Sequence, residues 1–243
     1  MGKVIVIASG KGGTGKSVFT ANLGATLAMR GYSVALIDMD MGVRNLDLYL
    51  GLENNVVYDV SDVVNGVCRI KQALIRDKRF DSLCLMPSPP HRDDGNITPL
   101  HMQVLCEKLK GSFDYVLIDS PSGIDDGFVL AAAGADSAVI VTMPEYAALR
   151  DADMVNTALT QLGIEEKGYV VNKVIGEVMS AGLVPTINEI TELIKSELYG
   201  FIQYDENILI AANNGVPIVC KTDSYIAENF NNIADRILYA GNK

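Results

Sequence analysis

A glycine-rich segment near the amino end has the residue types and spacing that bind phosphate. It reads Gly10-Lys11-Gly12-Gly13-Thr14-Gly15-Lys16-Ser17 and satisfies the pattern G-x-x-x-x-G-K-[ST] at every fixed position. Glycines allow backbone N–H groups to converge on phosphate oxygens, and a helix that starts there presents its positive end. Lys16 would reach the β- and γ-phosphates of a nucleotide, and the Ser17 hydroxyl would ligate Mg²⁺. An ordinary glycine-rich turn is the alternative, but a predicted strand before the segment and a predicted helix after it favour a phosphate-binding loop.

Three aspartates follow predicted strands and supply the acidic groups that such a site needs. Asp38 ends a run that starts at Val34, Asp40 comes two residues later, and Asp119 ends an apolar run that starts at Val116. Ligands of open α/β sheets bind beyond the carboxyl ends of the strands, so these carboxylates are expected beside the loop. Asp119 would hold Mg²⁺; of Asp38 and Asp40, one could hold Mg²⁺ through water while the other positions the attacking water. Without the phosphate-binding loop, Asp38 and Asp40 would be interpreted as ordinary solvent-exposed aspartates of a turn.

Alternating strands and helices are predicted to position these groups. The alternation predicts an α/β protein with the three-layer P-loop NTPase fold, a mainly parallel twisted sheet with helices on both faces. No repeat or long linker divides the chain, so residues 1–243 are predicted to form a single domain, with Ser88–Pro99 as its most loop-like segment. The predicted strands are Val4–Ala8, Val34–Asp38, Leu83–Met86, Tyr115–Asp119, Ala138–Thr142, Tyr169–Asn172 and Gly200–Ile202. The predicted helices are Ser17–Arg30, His101–Leu109, Val129–Ala133, Leu149–Leu162, Ile187–Glu197 and Ile226–Tyr239.

The net charge and the hydrophobic pattern of the chain bear on whether it binds DNA or membrane. The net charge is -10, and an acidic surface repels nucleic-acid phosphates and anionic lipid, so DNA binding is not expected. No apolar stretch reaches the roughly 20 residues of a membrane span, and no signal peptide is visible, so a cytoplasmic location is predicted.

The four cysteines form no Cys-x-x-Cys pair, which favours free thiols over a metal site.

A second lysine in the loop narrows the class further. The run from Lys11 to Ser17, Lys-Gly-Gly-Thr-Gly-Lys-Ser, resembles the deviant Walker A motif of the ParA/MinD family of P-loop ATPases. In that family the first lysine crosses a dimer interface to the partner's phosphates. The resemblance therefore implies a homodimer that forms with ATP and Mg²⁺, with Lys11, Lys16 and Asp40 as catalytic residues. Without this resemblance, Lys11 would be interpreted as an ordinary solvent-exposed lysine of the loop.

The resemblance to the ParA/MinD family covers residues 3–238. It is carried by segments 38–62, 72–79, 119–124, 144–153 and 213–217. It implies that Asp40 supports hydrolysis, that Asp38 lies near Mg²⁺, and that Asn172 contacts adenine. Gln203 stands where the family usually has proline, and it could bind the base or face solvent. The implied ATP contacts are Gly10, Lys11, Gly12, Gly13, Thr14, Gly15, Lys16, Ser17, Val18, Asn172 and Gln203, and the implied Mg²⁺ ligands are Ser17, Asp38 and Asp119.

The resemblance also implies a function. ATP would favour a dimer with a docking face for a regulatory protein near Glu145–Asp153, and hydrolysis in a slow ATPase cycle would release it. Segment Ser120–Asp126 would be the switch that senses the γ-phosphate. Such a switch would control where the cell places its division septum or a related cellular structure.

The last predicted helix bears on membrane binding. It has an apolar stripe of Ile226, Phe230, Ile233 and Ile237, but Arg236 is its only basic residue. A helix that binds anionic lipid needs Lys and Arg on its polar face, so we expect this helix to pack in the core. Peripheral membrane association would require a tail or a partner that supplies the anchor.

Other functions remain open from the sequence. A partition ATPase that acts on DNA would need a basic surface, against which the net charge argues. A metabolic or redox relative, such as an amidoligase or an iron–sulfur carrier, is another alternative; the carrier would need cysteines that bridge two subunits, for which Cys106 and Cys220 are the late candidates. A nucleotide-binding scaffold without hydrolysis, or a regulator without membrane binding, would need no further residues.

Overall fold

The computed structural model describes residues 2–91, 97–221 and 223–240. Within these residues, eight strands form one sheet in the order β3-β4-β2-β5-β1-β6-β7-β8, and all neighbours are parallel except the pair β3–β4. The strands are β1 Lys3–Ala8, β2 Val34–Asp38, β3 Ile75–Arg76, β4 Leu83–Met86, β5 Tyr115–Asp119, β6 Ser137–Thr142, β7 Glu166–Val174 and β8 Glu197–Gln203.

Helices cover both faces of this sheet. The helices are α1 Lys16–Met29, α2 Leu46–Leu50, α3 Val60–Val64, α4 Ile70–Ala73, α5 Pro99–Lys110, α6 Asp126–Ala132, α7 Tyr146–Gln161, α8 Gly176–Ser180, α9 Ile187–Leu193, α10 Glu206–Asn213 and α11 Tyr225–Ala240. Short 3-10 turns lie at Glu53–Asn55 and Ile218–Cys220. The predicted α/β architecture with a mainly parallel sheet is confirmed.

The core has two layers because the central strands are buried on both faces. Alternate side chains of β1 point into different layers: Val4 and Val6 pack with α5, α6 and α7, whereas Ile5 and Ile7 pack with α1 and α11. On the second face, the rings of Phe19 in α1 and Phe230 in α11 stack with centroids 5.7 Å apart. Burial on both faces explains why the strands read as continuous apolar runs.

The carboxyl-terminal part of the chain differs from the prediction. The predicted helix Ile187–Glu197 is wrong at its end, because α9 stops at Leu193 and Glu197 is the first residue of β8. Tyr199 and Ile202 of this strand are buried against α11, and this tertiary packing overrides the local helical spacing. Helix α10, capped by Asp205 accepting from the Asn207 N–H at 2.7 Å, was not predicted at all.

Two other expectations concern loops and membrane helices. Of the predicted loop Ser88–Pro99, residues 92–96 lie outside the described residues, and Pro99 begins α5. The apolar stripe of α11 is buried in the core, as predicted. Over the described ranges, none of the helices combines the length and apolar character needed to cross a bilayer.

Candidate nucleotide-binding site

The glycine-rich loop connects β1 to α1 and has the backbone conformation of a phosphate cradle. Gly13 and Gly15 have φ angles of +80° and +88°, which favour glycine. The Asn172 side chain donates from Nδ2 to the Thr14 carbonyl at 2.8 Å, and a Cβ atom on Gly15 would lie 2.4 Å from that Nδ2. The loop therefore depends on glycine for its shape and on Asn172 of β7 for its support.

A cavity of about 620 Å³ opens over this loop at the carboxyl edge of the sheet. The loop lines the cavity together with residues of the β2–α2 connection, α2, β7, the β8–α10 connection and α10, and with Ser122. A volume in this range is typical of pockets for small ligands and cofactors. The lining residues include the predicted contacts Gly12, Gly13, Thr14, Gly15, Lys16, Ser17, Val18, Asn172 and Gln203, together with Asp40.

Lys16 and Asp119 form a buried ion pair across the base of the loop. The Lys16 Nζ lies 2.8 Å from Asp119 Oδ1, and the Thr20 hydroxyl lies 2.9 Å from the same oxygen. Both charged side chains are almost fully buried, at 4% and 1% exposure. The other oxygen of Asp119, Oδ2, has no hydrogen-bond partner among the described residues. A buried carboxylate oxygen without a donor is suited to a cation or to water held by one.

Asp38 lies beside Asp119 because β2 and β5 are neighbours and these residues are register partners. Its oxygens accept from the Asp40 N–H at 2.9 Å and from the Leu46 N–H at 3.2 Å. Burial and the Asp119 carboxylate raise the pKa of Asp38 to about 7. The Asp40 and Leu46 N–H groups and the Lys16 ammonium lower this pKa, but they do not offset burial and the Asp119 carboxylate. Two buried carboxylates in adjacent positions are suited to bind a divalent cation.

The donor set fits Mg²⁺ bound together with a nucleotide. In the described part of the chain, no group of three or more His, Cys, Asp or Glu residues could hold a metal by itself. Mg²⁺ at nucleotide sites takes one or two carboxylates and completes its coordination with water and phosphate oxygens. Asp119, Asp38 and the Ser17 hydroxyl match that requirement.

Asp40 and the segment after β5 flank the cavity. Asp40 lines both this cavity and a second one of about 520 Å³ that also contacts Pro121 and Asp125. The predicted switch Ser120–Asp126 is tied to the amino side of the loop, since Gly123 N–H donates to the Ser9 carbonyl at 2.9 Å. The expected water-positioning residue and the expected switch therefore both border the space over the loop.

Gly10 and Lys11 are placed differently from the rest of the predicted set. Neither contributes to the cavity lining among the described residues. A Cβ atom on Gly10 would lie 2.5 Å from the Asp151 carbonyl, so the loop begins in direct contact with α7. The Lys11 Nζ pairs with Glu145 Oε2 at 2.7 Å, at the start of the same helix.

Some residues of the site were not predicted. Thr20 follows Lys16 by one helical turn, a spacing that could have suggested it. Lys173, in the left-handed region at φ +57°, donates from Nζ to the Gly13 carbonyl at 2.8 Å. It lies where the β7–β8 register shifts, which the sequence does not reveal. Further cavity residues that the sequence did not indicate are Asn45, Tyr49, Leu209, Ala212 and Asn213.

A phosphate cradle between the first strand and helix of a mainly parallel sheet, with aspartates ending two adjacent strands, defines a P-loop nucleotide-binding protein. The sequence model of the CobQ/CobB/MinD/ParA nucleotide binding domain matches residues 5–218. The chain is 44% identical to the septum site-determining protein MinD of Bacillus subtilis (strain 168) over 240 residues, which is 98% of this chain and 90% of that protein. The chain belongs to the CobQ/CobB/MinD/ParA family, and the resemblance drawn from its sequence is confirmed.

Solved structures of MinD proteins support the assignment of the chain to this family. A chain of the MinC:MinD cell division protein complex of Aquifex aeolicus superposes with a TM-score of 0.91 at 38% identity, covering 97% of this chain and 96% of that one. The septum site-determining protein MinD of Pyrococcus horikoshii OT3, complexed with Mg-ADP, gives a TM-score of 0.87 at 29% identity, covering 98% and 96%.

Proposed function

We propose that this chain is a MinD-like ATPase switch, acting as one domain, that controls placement of the division septum or a related cellular structure. It binds ATP with Mg²⁺, dimerises in that state, and returns to the monomer after hydrolysis. The observation that carries the proposal is the position of Lys11. This second lysine of the loop does not line the nucleotide cavity of its own chain, and within the described part of the chain its ammonium pairs with one carboxylate, that of exposed Glu145.

ATP binding follows from the cavity. Backbone N–H groups of Gly12–Ser17 and the Lys16 ammonium receive the phosphates, and the nucleoside extends toward Asn172 and Gln203. Lys16 would exchange its bond to Asp119 for the terminal phosphates, which releases that carboxylate. Ser17, Asp38 and Asp119 would hold Mg²⁺, which would neutralise negative charge on the phosphates. Asp40 at the cavity wall orients the attacking water.

Dimerisation uses Lys11. In the dimer, the ammonium leaves Glu145 and contacts the phosphates bound in the partner subunit. This adds a positive charge at the γ-phosphate, where negative charge accumulates during hydrolysis. ATP would then favour the dimer because ADP lacks the group that Lys11 recognises.

A regulatory protein of the MinC or MinE type would dock on the face near Glu145–Asp153. Tyr146, Arg150 and Met154 are exposed on α7 in this region. The MinC:MinD complex among the similar structures supports a partner of this kind. Since α7 touches both Gly10 and Lys11, docking there would be sensed at the phosphate loop.

The partition-ATPase alternative is less well supported. The net charge of -10 disfavours DNA binding, and relatives at 40–46% identity are septum site-determining MinD proteins. We propose a cytoplasmic location, with peripheral membrane association only if a tail or a partner supplies an anchor.

The test is gel filtration of Asp40→Ala with ATP and Mg²⁺. This variant should bind ATP and elute as a dimer, because it keeps the phosphate contacts and loses the group that orients water. With ADP it should elute as a monomer. An Asp40→Ala protein that binds ATP and stays monomeric across micromolar concentrations contradicts the dimer switch.

A further inference from the structure

Arg79 lies outside the cavity, but its side chain joins the two helices that form part of the cavity wall. It sits in the turn between β3 and β4. Its Nη2 donates to the Leu50 carbonyl and its Nη1 to the Gly215 carbonyl, each at 2.8 Å. Its Nε donates to Asp77 Oδ1 at 3.0 Å, and the Asp77 side chain is 1% exposed. One guanidinium, held by the carboxylate of its own turn, therefore binds two segments that are distant in sequence.

The two carbonyls lie at the carboxyl ends of α2 and α10. Leu50 is the last residue of α2, so its carbonyl has no partner within the helix, and Gly215 lies two residues beyond the end of α10. A cation at these ends also meets the negative end of each helix dipole. The planar fork of arginine can serve both carbonyls and a carboxylate at once, whereas a lysine ammonium cannot match that geometry.

The helix ends that Arg79 joins are in close backbone contact. Gly51 and Gly215 both have φ of +64°. A Cβ atom on Gly215 would lie 2.6 Å from the Gly51 Cα, and one on Gly51 would lie 3.1 Å from the Gly215 carbonyl oxygen. The contact leaves no space for a side chain, so α2 and α10 can approach this closely only with glycine at both positions, and the Arg79 guanidinium bridges the two helix ends there.

Both helices contribute residues to the cavity wall, whereas Arg79 does not. Asn45 and Tyr49 line it from the α2 side, and Leu209, Ala212 and Asn213 line it from α10. Among the described residues, the Arg79 guanidinium bonds to Leu50, Asp77 and Gly215, and none of these belongs to the phosphate loop. The distance between α2 and α10 thus bears on the part of the cavity that remains for ribose and base.

We propose that Arg79 is a positioning residue that sets the width of the nucleoside end of the cavity, and hence the affinity for the base and ribose of ATP but not for its phosphates. This inference rests on the proposed binding of ATP. It assigns to the β3–β4 turn a role in nucleotide affinity, although the turn does not touch the nucleotide.

The test compares ATP with tripolyphosphate, each with Mg²⁺, by calorimetric titration of wild type and Arg79→Lys. Lysine keeps the positive charge beside buried Asp77, so the variant should fold. Its Kd for ATP should rise about tenfold, while its Kd for tripolyphosphate should stay within about twofold. In steady-state assays its KM for ATP should rise while kcat stays within about twofold of wild type. An unchanged Kd for ATP, or equal losses for both ligands, would overturn the inference.

Asp77→Asn is the matched control for a merely structural role. It weakens the anchor of the guanidinium but leaves the donors to both carbonyls, so it should lower the melting temperature while Kd for ATP rises less than about threefold. If Asp77→Asn and Arg79→Lys weaken ATP binding equally at equal loss of melting temperature, the effect follows stability and the inference fails. A wild-type protein that binds no ATP would instead sink the proposed function.

Discussion

The ammonium of Lys11 lies 2.7 Å from Glu145 Oε2 of the same chain. Lys11 comes from the phosphate loop, and Glu145 immediately precedes α7, so the pair joins the loop to the proposed docking face. The two side chains are 32% and 54% exposed. Ion pairs at such exposure are typically worth about 0.2–1 kcal/mol, so the contact can be exchanged for another at small cost.

Lys11→Ala should separate nucleotide binding from turnover. The cavity keeps Lys16 and the backbone donors, so Kd for ATP should stay within about threefold of wild type. ATP-dependent dimerisation and hydrolysis should both be lost, because the charge contributed to the partner's phosphates is gone. Fluorescent-nucleotide titration, analytical ultracentrifugation and phosphate release measure the three quantities. Wild-type turnover in this variant would mean that Lys11 has no role in the reaction.

Glu145→Gln should have the opposite effect on assembly. It removes the carboxylate that competes for Lys11, so the midpoint protein concentration for ATP-dependent dimerisation should fall. Each dimer exchanges two such exposed pairs, one per subunit, so the midpoint should fall by about twofold to about thirtyfold. The difference from wild type should shrink at high salt, which screens exposed charges. A Glu145→Gln variant that needs more protein to dimerise would contradict the competition between the two contacts.

Much of the site could be predicted because its chemistry is contiguous in sequence. The loop Gly10–Ser17 carries its own pattern, and Asp38 and Asp119 are marked by the apolar strands that they end. Adjacent parallel strands bring such ends together, and in the structure Asp38 and Asp119 are register partners. Local pattern and general topology were sufficient for these residues.

The remaining parts depend on tertiary contacts that no local pattern encodes. The contact between Lys11 and Glu145 could not be predicted, because the two residues lie 134 positions apart in the chain. The cavity wall formed by α10 was not predicted. Its place beside α2 depends on the close contact between Gly51 and Gly215, which are far apart in the sequence. Likewise, Glu197 had helical spacing, but pairing with β7 places it in a strand.

Lys16→Ala should abolish nucleotide binding. It removes the cation that faces the terminal phosphates, and it leaves Asp119 buried without its partner. Breaking a buried pair costs about 3–5 kcal/mol, so Lys16→Gln, which keeps most of the volume and a donor, should be tested in parallel. Both variants should show at least about a hundredfold loss of ATP affinity by titration. Lys108→Ala, an exposed lysine of α5, is the control. Normal ATP affinity in Lys16→Gln would show that the loop is not the phosphate site.

Removal of Mg²⁺ should abolish hydrolysis. Asp38 and Asp119 are adjacent, buried carboxylates, and without a divalent cation they would oppose the phosphates. Excess EDTA should therefore suppress phosphate release to background and weaken ATP binding, and added Mg²⁺ should restore both. In Asp119→Asn, the difference in ATP affinity between EDTA and Mg²⁺ should become smaller. Full turnover in EDTA would contradict the assignment of Ser17, Asp38 and Asp119 to Mg²⁺.

Gly15→Ala should disturb the loop even without nucleotide, whereas Gly12→Ala should not. Gly15 has φ of +88°, and its Cβ atom would meet Asn172 Nδ2 at 2.4 Å; Gly12 is not in the left-handed region and its Cβ atom would meet no atom within 4 Å. The strain and the displaced Asn172 should lower the free energy of unfolding of Gly15→Ala by about 1–3 kcal/mol. Gly12→Ala should stay within about 0.5 kcal/mol of wild type. Urea denaturation of the nucleotide-free proteins measures both values. Equal stabilities would mean that the Asn172 contact does not hold the loop, because the two variants add the same methyl group three residues apart in one loop.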